Sequence, residues 1–383
     1  MRVLQISKFY PPVRGGIETV AVALGDGLNR LGVRADVLCA NHRWFTSHER
    51  SAMGYDIWRA GSLGTLMSTS MAWAMPALLA LRQGRYDVLH VHMPDPMAAM
   101  AVYLSRPRGP LVLHWHSDVI RQRAALRLYE PLQHWLLQRA AAVVVTSPAY
   151  AESSQPLQAW RHKVRIVPIG IDDNRSAALP ERVSELRRLW HGRRIVFSLG
   201  RMTYYKGFDV LIDAAARLPD DCVVVIGGGG ELLDAYRAHV ARAGLTGKVV
   251  LTGALPDHDL PSYFEACDIF CMPSTVRAEA YGVAIVEAMV MGRPIVATDI
   301  EGSGVPWVNR HGETGLNVPV RNPEALATAI RSLLDNPAWR ETLGQQARRR
   351  FEAEFEAERM TRRMLDVYRD LLPPQPFPTD PDA

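Results

Sequence analysis

The runs "AVVVTS" (142–147) and "CVVVIGG" (222–228) decide the fold class that the sequence predicts. Each begins with at least four consecutive apolar residues, most of them β-branched, and each ends in small or polar residues. Strands that are apolar on both faces are typical of parallel sheets that helices cover on both sides. We therefore expect an α/β protein.

Similar runs alternate with helical stretches along the rest of the chain. They lie near 3–7, 35–40, 88–92, 111–116 and 164–168, and then near 194–200, 249–253, 269–273, 294–298 and 315–318. This alternation predicts two Rossmann-like domains that bind ligands at the carboxyl ends of their strands. We place the domains at 1–168 and 169–355. A long amphipathic stretch begins near 337, inside the second domain, and continues to 372. We expect its last part, 356–372, to be a helix that crosses back to the first domain, before a disordered tail at 373–383.

Charge and cysteine usage limit the partners and the compartment. Residues 1–166 carry 19 basic and 10 acidic side chains, whereas residues 167–383 carry 25 and 30. This asymmetry leaves nucleic acid, an anionic membrane and a phosphorylated acceptor open as partners of the first half. We expect no secretory signal, and no apolar run reaches the roughly 18 residues that span a bilayer. The four cysteines form no CxxC pair, which predicts reduced thiols in a cytoplasmic protein.

A glycine pair lies between the first strand and the first helix, in "FYPPVRGGIE" (9–18). Gly15 and Gly16 would allow a negatively charged group to approach the helix N-terminus, where free N–H groups point outward. A plain tight turn explains the same residues equally well.

Two cations follow the first strand of the second domain, in "SLGRMTYYKGFDVLIDAA" (198–215). Arg201 and Lys206 flank a loop, and Gly207 precedes a helix. Two cations beside a helix N-terminus suit a diphosphate. The alternative is a pair of solvated surface cations.

Two carboxylates lie eight residues apart in "VRAEAYGVAIVEAMVMG" (276–292). We expect Glu279 just before a helix and Glu287 two turns inside it, which separates them by about 12 Å. That distance is too long for a glycosidase pair acting on one bond and suits the two ends of an elongated ligand. Alternatively, Glu279 supports the helix N-terminus and Glu287 faces water, although an unpaired carboxylate among apolar neighbours is costly.

Other residues suggest a metal or a nucleotide less strongly. His90 and His92 share one strand face, as do His114 and His116, so the four imidazoles could bind a metal. A single histidine acting as a polar group fits better, because cysteine and carboxylate ligands with metal-like spacing are absent.

The glycine run that contains Gly228 indicates a close backbone approach to a nucleotide or phosphate. We assign Asp257 of "DHD" (257–259) as a helix N-cap rather than a metal ligand.

The stretch "SDVIRQRAALRLYEPLQHWLLQRAA" (117–141) predicts a basic amphipathic helix. Its residues Arg121, Arg123 and Arg127 could contact an anionic membrane or an acceptor. The apolar stretch 66–81 is too short to span a bilayer and could lie on the same surface. A packed helix with a solvated basic face is the alternative.

Taken together, these residues resemble the retaining nucleotide-sugar glycosyltransferases of the GT-B fold, in the family-4 group. The resemblance is carried by Gly15-Gly16, "HSD" (116–118), "GRMTYYKG" (200–207) and "EAYGVAIVEAM" (279–289). Within the group, "HWHSDVIRQ", "VVVTSPAY" and "VPIGID" are similar to bacterial O-antigen mannosyl- and rhamnosyltransferases. The resemblance implies two Rossmann-like domains whose parallel sheets face each other across a cleft, with a C-terminal helix closing the chain.

The resemblance also implies a role for each motif. The glycine pair approaches the donor phosphates, Glu279 holds hydroxyls of the donor sugar, Glu287 holds the ribose, and His116 contacts the sugar near the reacting carbon. The implied catalytic residues are His116, Arg201, Lys206 and Glu279. The implied donor-binding residues are Gly15, Gly16, Arg201, Lys206, Gly228, Glu279, Tyr281, Gly282, Val283 and Glu287, with Tyr281 in place of the usual Phe.

The implied activity is transfer of a hexose, mannose or rhamnose favoured, from a nucleoside-diphosphate sugar to a lipid-linked saccharide. A GDP-sugar is favoured over a UDP-sugar, and we expect no metal cofactor and no nucleic-acid partner. The protein would lie on the inner face of the cell membrane as a peripheral cytoplasmic enzyme of polysaccharide or lipopolysaccharide biosynthesis. The alternatives are a nucleotide-sugar 2-epimerase of the same fold and a non-catalytic nucleotide-sugar-binding protein.

Overall fold

The computed structural model describes residues 1–13, 15–66, 69–119 and 123–373, which form two compact units. Unit 1 comprises the described residues of 1–146, 154–170 and those from 357 onward, and unit 2 comprises 147–153 and 171–356. Apart from Pro373, the predicted disordered tail lies outside the described residues.

The strands and helices follow one another in the order that the sequence predicts, and the structure adds four short strands between residues 47 and 70, β3 to β6. The strands are β1 (Arg2–Ser7), β2 (Arg34–Ala40), β3 (Ser47–Arg50), β4 (Asp56–Ala60), β5 (Thr65–Leu66), β6 (Thr69–Ser70), β7 (Val88–Met93), β8 (Leu111–Trp115), β9 (Ala142–Val145), β10 (Val164–Ile166), β11 (Arg194–Leu199), β12 (Cys222–Gly227), β13 (Val249–Gly253), β14 (Ile269–Met272), β15 (Ile295–Asp299) and β16 (Gly315–Pro319). The helices are α1 (Gly16–Arg30), α2 (Met75–Arg82), α3 (Pro96–Ser105), α4 (Arg123–Arg139), α5 (Pro148–Ser153), α6 (Pro180–Leu189), α7 (Phe208–Ala215), α8 (Leu233–Arg242), α9 (Leu260–Ala266), α10 (Val283–Val290), α11 (Val305–Val308), α12 (Pro323–Leu334), α13 (Pro337–Arg350) and α14 (Ala357–Asp370).

Unit 1 is built on a sheet with the strand order β10-β9-β8-β7-β1-β2-β4-β3. All neighbouring strands are parallel except β3 and β4, and β5 and β6 form a separate hairpin. The sequence did not predict β3 to β6, because edge and hairpin strands are partly solvated and lack the continuous apolar runs of central strands. The chain order reverses at β1 and β7, and parallel α/β sheets bind ligands at such a point.

Unit 2 is built on an all-parallel sheet with the order β13-β12-β11-β14-β15-β16. Its central strands are buried on both faces, as the apolar runs predict. The chain order reverses between β11 and β14, so the loops after these two strands lie at the expected ligand-binding edge.

The predicted amphipathic stretch at 337–372 contains two helices, α13 and α14. After α13 the chain makes a π-helical turn at Phe351–Phe355, and Glu356 is extended with φ −70° and ψ 140° before α14 begins. Phe351 and Phe355 are fully buried, so the turn is fixed by core packing. Unit 2 ends at Glu356, and α14 belongs to unit 1.

The segment Ser147–Ser153, which contains α5, groups with unit 2, although the sequence division places it in the first domain. Ser153 Oγ donates a hydrogen bond of 2.7 Å to the carbonyl of Gly302. The Arg277 guanidinium lies 4.3 Å from the centre of the Tyr150 ring. These contacts join residues more than 120 positions apart, which a division by local composition does not reveal.

All four cysteines are buried and free of disulfide bonds, as predicted for reduced core residues. Within the part of the chain that the structure describes, no helix combines the length and the apolar character needed to cross a membrane.

Candidate active site

The loop after β11 carries Arg201 at the carboxyl edge of the unit 2 sheet. The Arg201 side chain is exposed and makes no hydrogen bond or ion pair with any residue that the structure describes. An exposed, unpaired guanidinium offers several N–H donors to an anion in a fixed plane. Arg201 is therefore available for the diphosphate that the sequence predicts.

Gly228 positions this loop from the neighbouring strand. Its φ is +134°, and a Cβ there would lie 1.9 Å from the carbonyl oxygen of Gly200. Only glycine permits this approach. The close backbone approach that the sequence indicates at Gly228 is therefore made to Gly200, and contact of Gly228 with a nucleotide stays a prediction.

Lys206 and Glu279 form a buried ion pair. Lys206 Nζ lies 2.6 Å from Glu279 Oε2, which also accepts a 3.0 Å hydrogen bond from Ser274 Oγ. Burial lowers the pKa of Lys206, but the charge of Glu279, the nearby Tyr205 and the hydrogen bond to Glu279 together more than offset burial, so the pKa is raised overall. The ammonium is thus fixed in place and charged near neutral pH. The sequence predicted both residues but not their pairing.

Gly207 begins the helix beside Lys206, as predicted. It has a φ of +65° and precedes the first residue of α7. A Cβ at this position would lie 2.0 Å from the carbonyl oxygen of Pro273, which follows β14. The glycine lets the loops after β11 and β14 pack directly against each other, and this packing brings Lys206 to Glu279.

Glu287 lies nearer the start of α10 than the sequence predicts. The helix begins at Val283, because Gly282 has a φ of +86°, so Glu287 is just over one turn inside rather than two. Its half-buried side chain has a pKa of about 7, raised by burial and by the charge of Asp257 and lowered by that of Lys206. Near neutral pH the Glu287 carboxyl is therefore partly protonated, and it can donate as well as accept hydrogen bonds.

Asp257 is not the helix N-cap that the sequence predicts. Helix α9 begins at Leu260 with Asp259 at its N-cap position, and Asp259 makes no side-chain capping bond. Residues 257–259 instead form a turn, which places the charge of Asp257 near Glu287.

Tyr281 contributes to the core more than to an open pocket. Its side chain is 3% exposed and contacts Phe355 edge-on, with 6.3 Å between ring centres. Gly282 and Val283 start α10, whose first N–H groups form a positive helix end at the same edge of unit 2.

In unit 1, Gly15 and Gly16 start α1 and are both exposed. Gly15 is extended, with a φ of 177°, so its backbone does not require glycine. A Cβ on Gly16 would meet no atom within 4 Å. A Cβ on Gly15 would lie 2.2 Å from Glu18 Oε2, so a carboxylate of the same helix already lies beside this helix end, and approach of the donor phosphates stays a prediction.

Four histidines cluster on one face of the unit 1 sheet, at the end of β7 and β8. His90 Nε2 lies 3.2 Å from His114 Nδ1, and His92 Nδ1 lies 2.9 Å from His116 Nε2. Burial lowers the pKa of all four, to about 3 for His116, so the rings are neutral. Nitrogen atoms of His90, His92 and His114 lie within 4.8 Å of one another, a spacing that could accommodate a metal ion.

The basic helix is described only in part. Arg121 lies outside the described residues, and the structure describes only the backbone of Arg123 and Arg127, at the start of α4.

Comparison with known proteins assigns the family. Residues 187–350 match the family model described as Glycosyl transferases group 1, and residues 14–175 match Glycosyltransferase Family 4. The O-antigen chain mannosyltransferase C of Escherichia coli is 33% identical, over 97% of this chain and 99% of its own. The chain belongs to the family 4 glycosyltransferases. The D-rhamnosyltransferase WbpZ of Pseudomonas aeruginosa is 32% identical to this glycosyltransferase over 93% of both chains.

The fold of this glycosyltransferase is also that of solved relatives. Anabaena HepE, solved in complex with UDP-glucose, matches 97% of this chain and 100% of its own with a TM-score of 0.78 and 22% identity. This likeness confirms the predicted GT-B class with two Rossmann-like domains.

Two residues that contact candidate site residues of this glycosyltransferase were not found from the sequence. Ser274 donates a hydrogen bond to Glu279, and Gln5 lies within hydrogen-bond distance of His92. The available signal was their position: Ser274 closely follows a strand, and Gln5 is a polar residue inside an otherwise apolar strand.

Proposed function

We propose that this glycosyltransferase moves a hexose, mannose or rhamnose favoured, from a nucleoside-diphosphate sugar to a lipid-linked saccharide with retention of configuration. The reaction would serve polysaccharide or lipopolysaccharide biosynthesis, and a GDP-sugar is favoured as donor. The buried Lys206–Glu279 pair beside the exposed Arg201 carries the proposal. The names of the mannosyl- and rhamnosyltransferase relatives support the sugar.

The donor diphosphate would bind to Arg201, Lys206 and the N-terminus of α10. As the bond to the sugar breaks, negative charge grows on the leaving phosphate oxygen. Fixed positive groups aimed at that oxygen stabilise the transition state more than the ground state, because their charge needs no reorganisation. The pairing of Lys206 with Glu279 supports this role, since it holds the ammonium in one position.

The donor's hydroxyl groups would bind to carboxylates and an imidazole. Glu279 would hold the sugar, Glu287 the ribose, and His116 the sugar near its reacting carbon. In a retaining reaction on one face of the sugar, the leaving phosphate would itself accept the acceptor's proton, so no separate base is required.

A donor panel tests the proposal. Thermal shifts are measured with GDP- and UDP-linked hexoses, each against the free hexose, because a ligand that binds only the native state raises its Tm. We expect GDP-mannose or a GDP-deoxyhexose to give the largest shift, and Arg201→Ala to reduce it. Equal shifts with the free hexoses, or none with any nucleotide sugar, would contradict the proposal.

We predict that transfer needs no divalent metal ion. Arg201, Lys206 and a helix N-terminus already supply positive charge for the diphosphate, and the DHD stretch lies in a turn next to Glu287. Transfer rates in excess EDTA should stay within about twofold of those in Mg²⁺ or Mn²⁺. Activity that EDTA abolishes and either ion restores would refute this prediction.

Unit 1 is proposed to contact an anionic membrane, where a lipid-linked acceptor would be found. The basic balance of residues 1–166 supports this, and so do exposed apolar side chains around the β5–β6 hairpin. Leu63, Leu66 and Trp73 are 77%, 61% and 58% exposed, and Trp73 donates to the carbonyl of Trp44, which is 71% exposed. Tryptophan and leucine beside basic residues are typical of surfaces that enter the membrane interface.

Liposome co-sedimentation tests this contact. Each basic residue near an anionic surface contributes about 1 kcal/mol, and salt weakens that attraction. We expect binding to anionic vesicles at low salt, and its loss in the triple variant Arg121→Glu, Arg123→Glu and Arg127→Glu.

The matched control changes three exposed arginines of unit 2, Arg187, Arg188 and Arg242, to glutamate and should still bind. Donor affinity should be the same in both triple variants. If sedimentation is the same with neutral and anionic vesicles, and is unchanged in the Arg121, Arg123 and Arg127 triple variant, a water-soluble acceptor would be favoured instead.

A further inference from the structure

The histidine cluster of unit 1 contains two separate chains of hydrogen bonds. In the first, His92 Nε2 lies 3.0 Å from Gln5 Oε1, and His92 Nδ1 lies 2.9 Å from His116 Nε2. In the second, the Tyr368 hydroxyl lies 2.8 Å from His90 Nδ1, and His90 Nε2 lies 3.2 Å from His114 Nδ1. In the strand register Gln5 pairs with His90, and His92 pairs with His114, so the bonds Gln5–His92 and His92–His116 join side chains two positions apart on one sheet face. Tyr368 of the second chain comes from α14.

The first chain fixes the proton positions on His92 and His116. Gln5 is oriented with its carboxamide oxygen toward His92, and an oxygen only accepts hydrogen bonds, so in this orientation His92 carries its proton on Nε2. A neutral imidazole has one N–H, which leaves a lone pair on His92 Nδ1. His116 must then donate from Nε2 to that lone pair, and its own lone pair lies on Nδ1.

In this first chain of hydrogen bonds, His116 Nδ1 is the nitrogen that remains available to a ligand. His116 is 7% exposed, whereas Gln5 and His92 are essentially inaccessible at 0% and 1%. No residue that the structure describes bonds to His116 Nδ1.

The same proton positions argue against a metal in the cluster. His92 Nδ1 accepts from His116 and His92 Nε2–H donates to Gln5, so neither ring nitrogen of His92 offers a free lone pair. The three nitrogen atoms that lie close enough for a metal ion include one from His92. A metal ligand needs a free lone pair.

We propose that Gln5 and His92 are positioning residues that hold His116 in its Nε2–H tautomer, so that Nδ1 accepts a hydrogen bond from a hydroxyl of the donor sugar. This inference rests on the proposed function, because it assigns His116 to the sugar. Positive charge grows on the sugar ring as the leaving group departs. The lone-pair end of a neutral imidazole stabilises that charge, whereas an N–H directed at the sugar would oppose it.

The tautomer is measured directly in the free protein. Two-bond ¹⁵N–¹H correlation spectra of ¹⁵N-histidine-labelled enzyme report which ring nitrogen carries the proton, and a His116→Gln spectrum assigns the His116 signals. We expect the Nε2–H form in the wild type. In Gln5→Met, which removes the acceptor while keeping the side-chain volume, we expect the Nδ1–H form to appear.

Kinetics then test the consequence for transfer. A wrong tautomer removes an interaction made in the transition state, so kcat should fall at least about 10-fold in Gln5→Met with KM for the donor within twofold. Tyr368→Phe is the matched control, because it breaks an equally buried bond in the second chain. It should leave the His116 tautomer and kcat unchanged.

Three results would overturn the inference. The first is a wild-type His116 that is protonated on Nδ1, as a reversed Gln5 amide would produce. The second is one equivalent of metal bound by the cluster, and the third is a Gln5→Met enzyme that keeps the wild-type tautomer and kcat. The wild-type spectrum requires no turnover and remains decisive even if Gln5→Met does not fold. Failure of the proposed function would appear differently, as absence of transfer by an enzyme whose His116 has the expected tautomer.

Discussion

Replacing Lys206 by alanine is expected to reduce kcat/KM for sugar transfer about 100-fold or more, the effect typical of losing a charge-stabilising group. The ammonium lies 2.6 Å from Glu279 and is largely buried. Its removal deletes a fixed positive charge and leaves a carboxylate without its partner at the site of phosphate departure. Steady-state transfer assays at saturating and limiting donor measure the change.

Lys248→Ala is the matched control for this substitution. Lys248 also belongs to unit 2 and is paired, since its Nζ donates to the carbonyl of Leu218 and to Asp220. It precedes β13, at the opposite end of the sheet from Lys206, so its loss should change transfer less than about twofold. Arg201→Ala should resemble Lys206→Ala. Near wild-type transfer in both site variants would remove the phosphate clamp from the mechanism.

Glu279→Ala and Glu287→Ala are expected to separate transfer from nucleotide binding. Glu279 is assigned to the sugar, so its loss should reduce transfer about 100-fold while the Kd for bare nucleoside diphosphate changes less than about threefold. Glu287 is assigned to the ribose, which the bare nucleotide contains. Losing hydrogen bonds to that carboxyl group should raise the Kd about 10-fold or more. Calorimetric titration with GDP and UDP, beside transfer assays, measures both quantities.

Two further variants make this comparison specific. Glu279→Gln keeps the side-chain volume and an oxygen that can accept from Ser274, so any loss reports the missing charge toward Lys206. Glu265→Ala removes a glutamate of unit 2 that pairs with Arg293 and should change neither quantity. Equal losses of nucleotide affinity in Glu279→Ala and Glu287→Ala would contradict the assignment.

The central strands could be predicted from the sequence, because a parallel strand covered on both faces leaves an unbroken apolar run. Strand β12 at Cys222–Gly227 is fully buried along its length and was predicted at the same residues. Strand β3 at Ser47–Arg50 was not predicted, since it is an edge strand with mostly exposed side chains. The extended residue Glu356 separates α13 from α14, next to the boundary that the sequence predicts between 355 and 356.

The residue types of the candidate site could be predicted, because polar side chains directly after buried strands are unusual. Arg201 and His116 were found in this way, whereas Lys206 was found from the glycine that follows it and Glu279 from its spacing to Glu287. Their partnerships could not be predicted, since they depend on contacts between distant parts of the chain. Lys206 and Glu279 are 73 residues apart, and Gln5 and His92 are 87 apart.

The central claim, retaining transfer from a nucleotide sugar, is tested most directly by the anomeric configuration of the product. The enzyme is incubated with GDP-mannose or another GDP-hexose and a lipid-linked saccharide, and the new glycosidic bond is analysed by NMR while released nucleotide is quantified. We predict a product whose transferred hexose keeps the donor's configuration, with one nucleoside diphosphate released per sugar transferred. An inverted linkage, a 2-epimerised sugar without transfer, or nucleotide-sugar binding without any turnover would contradict this account.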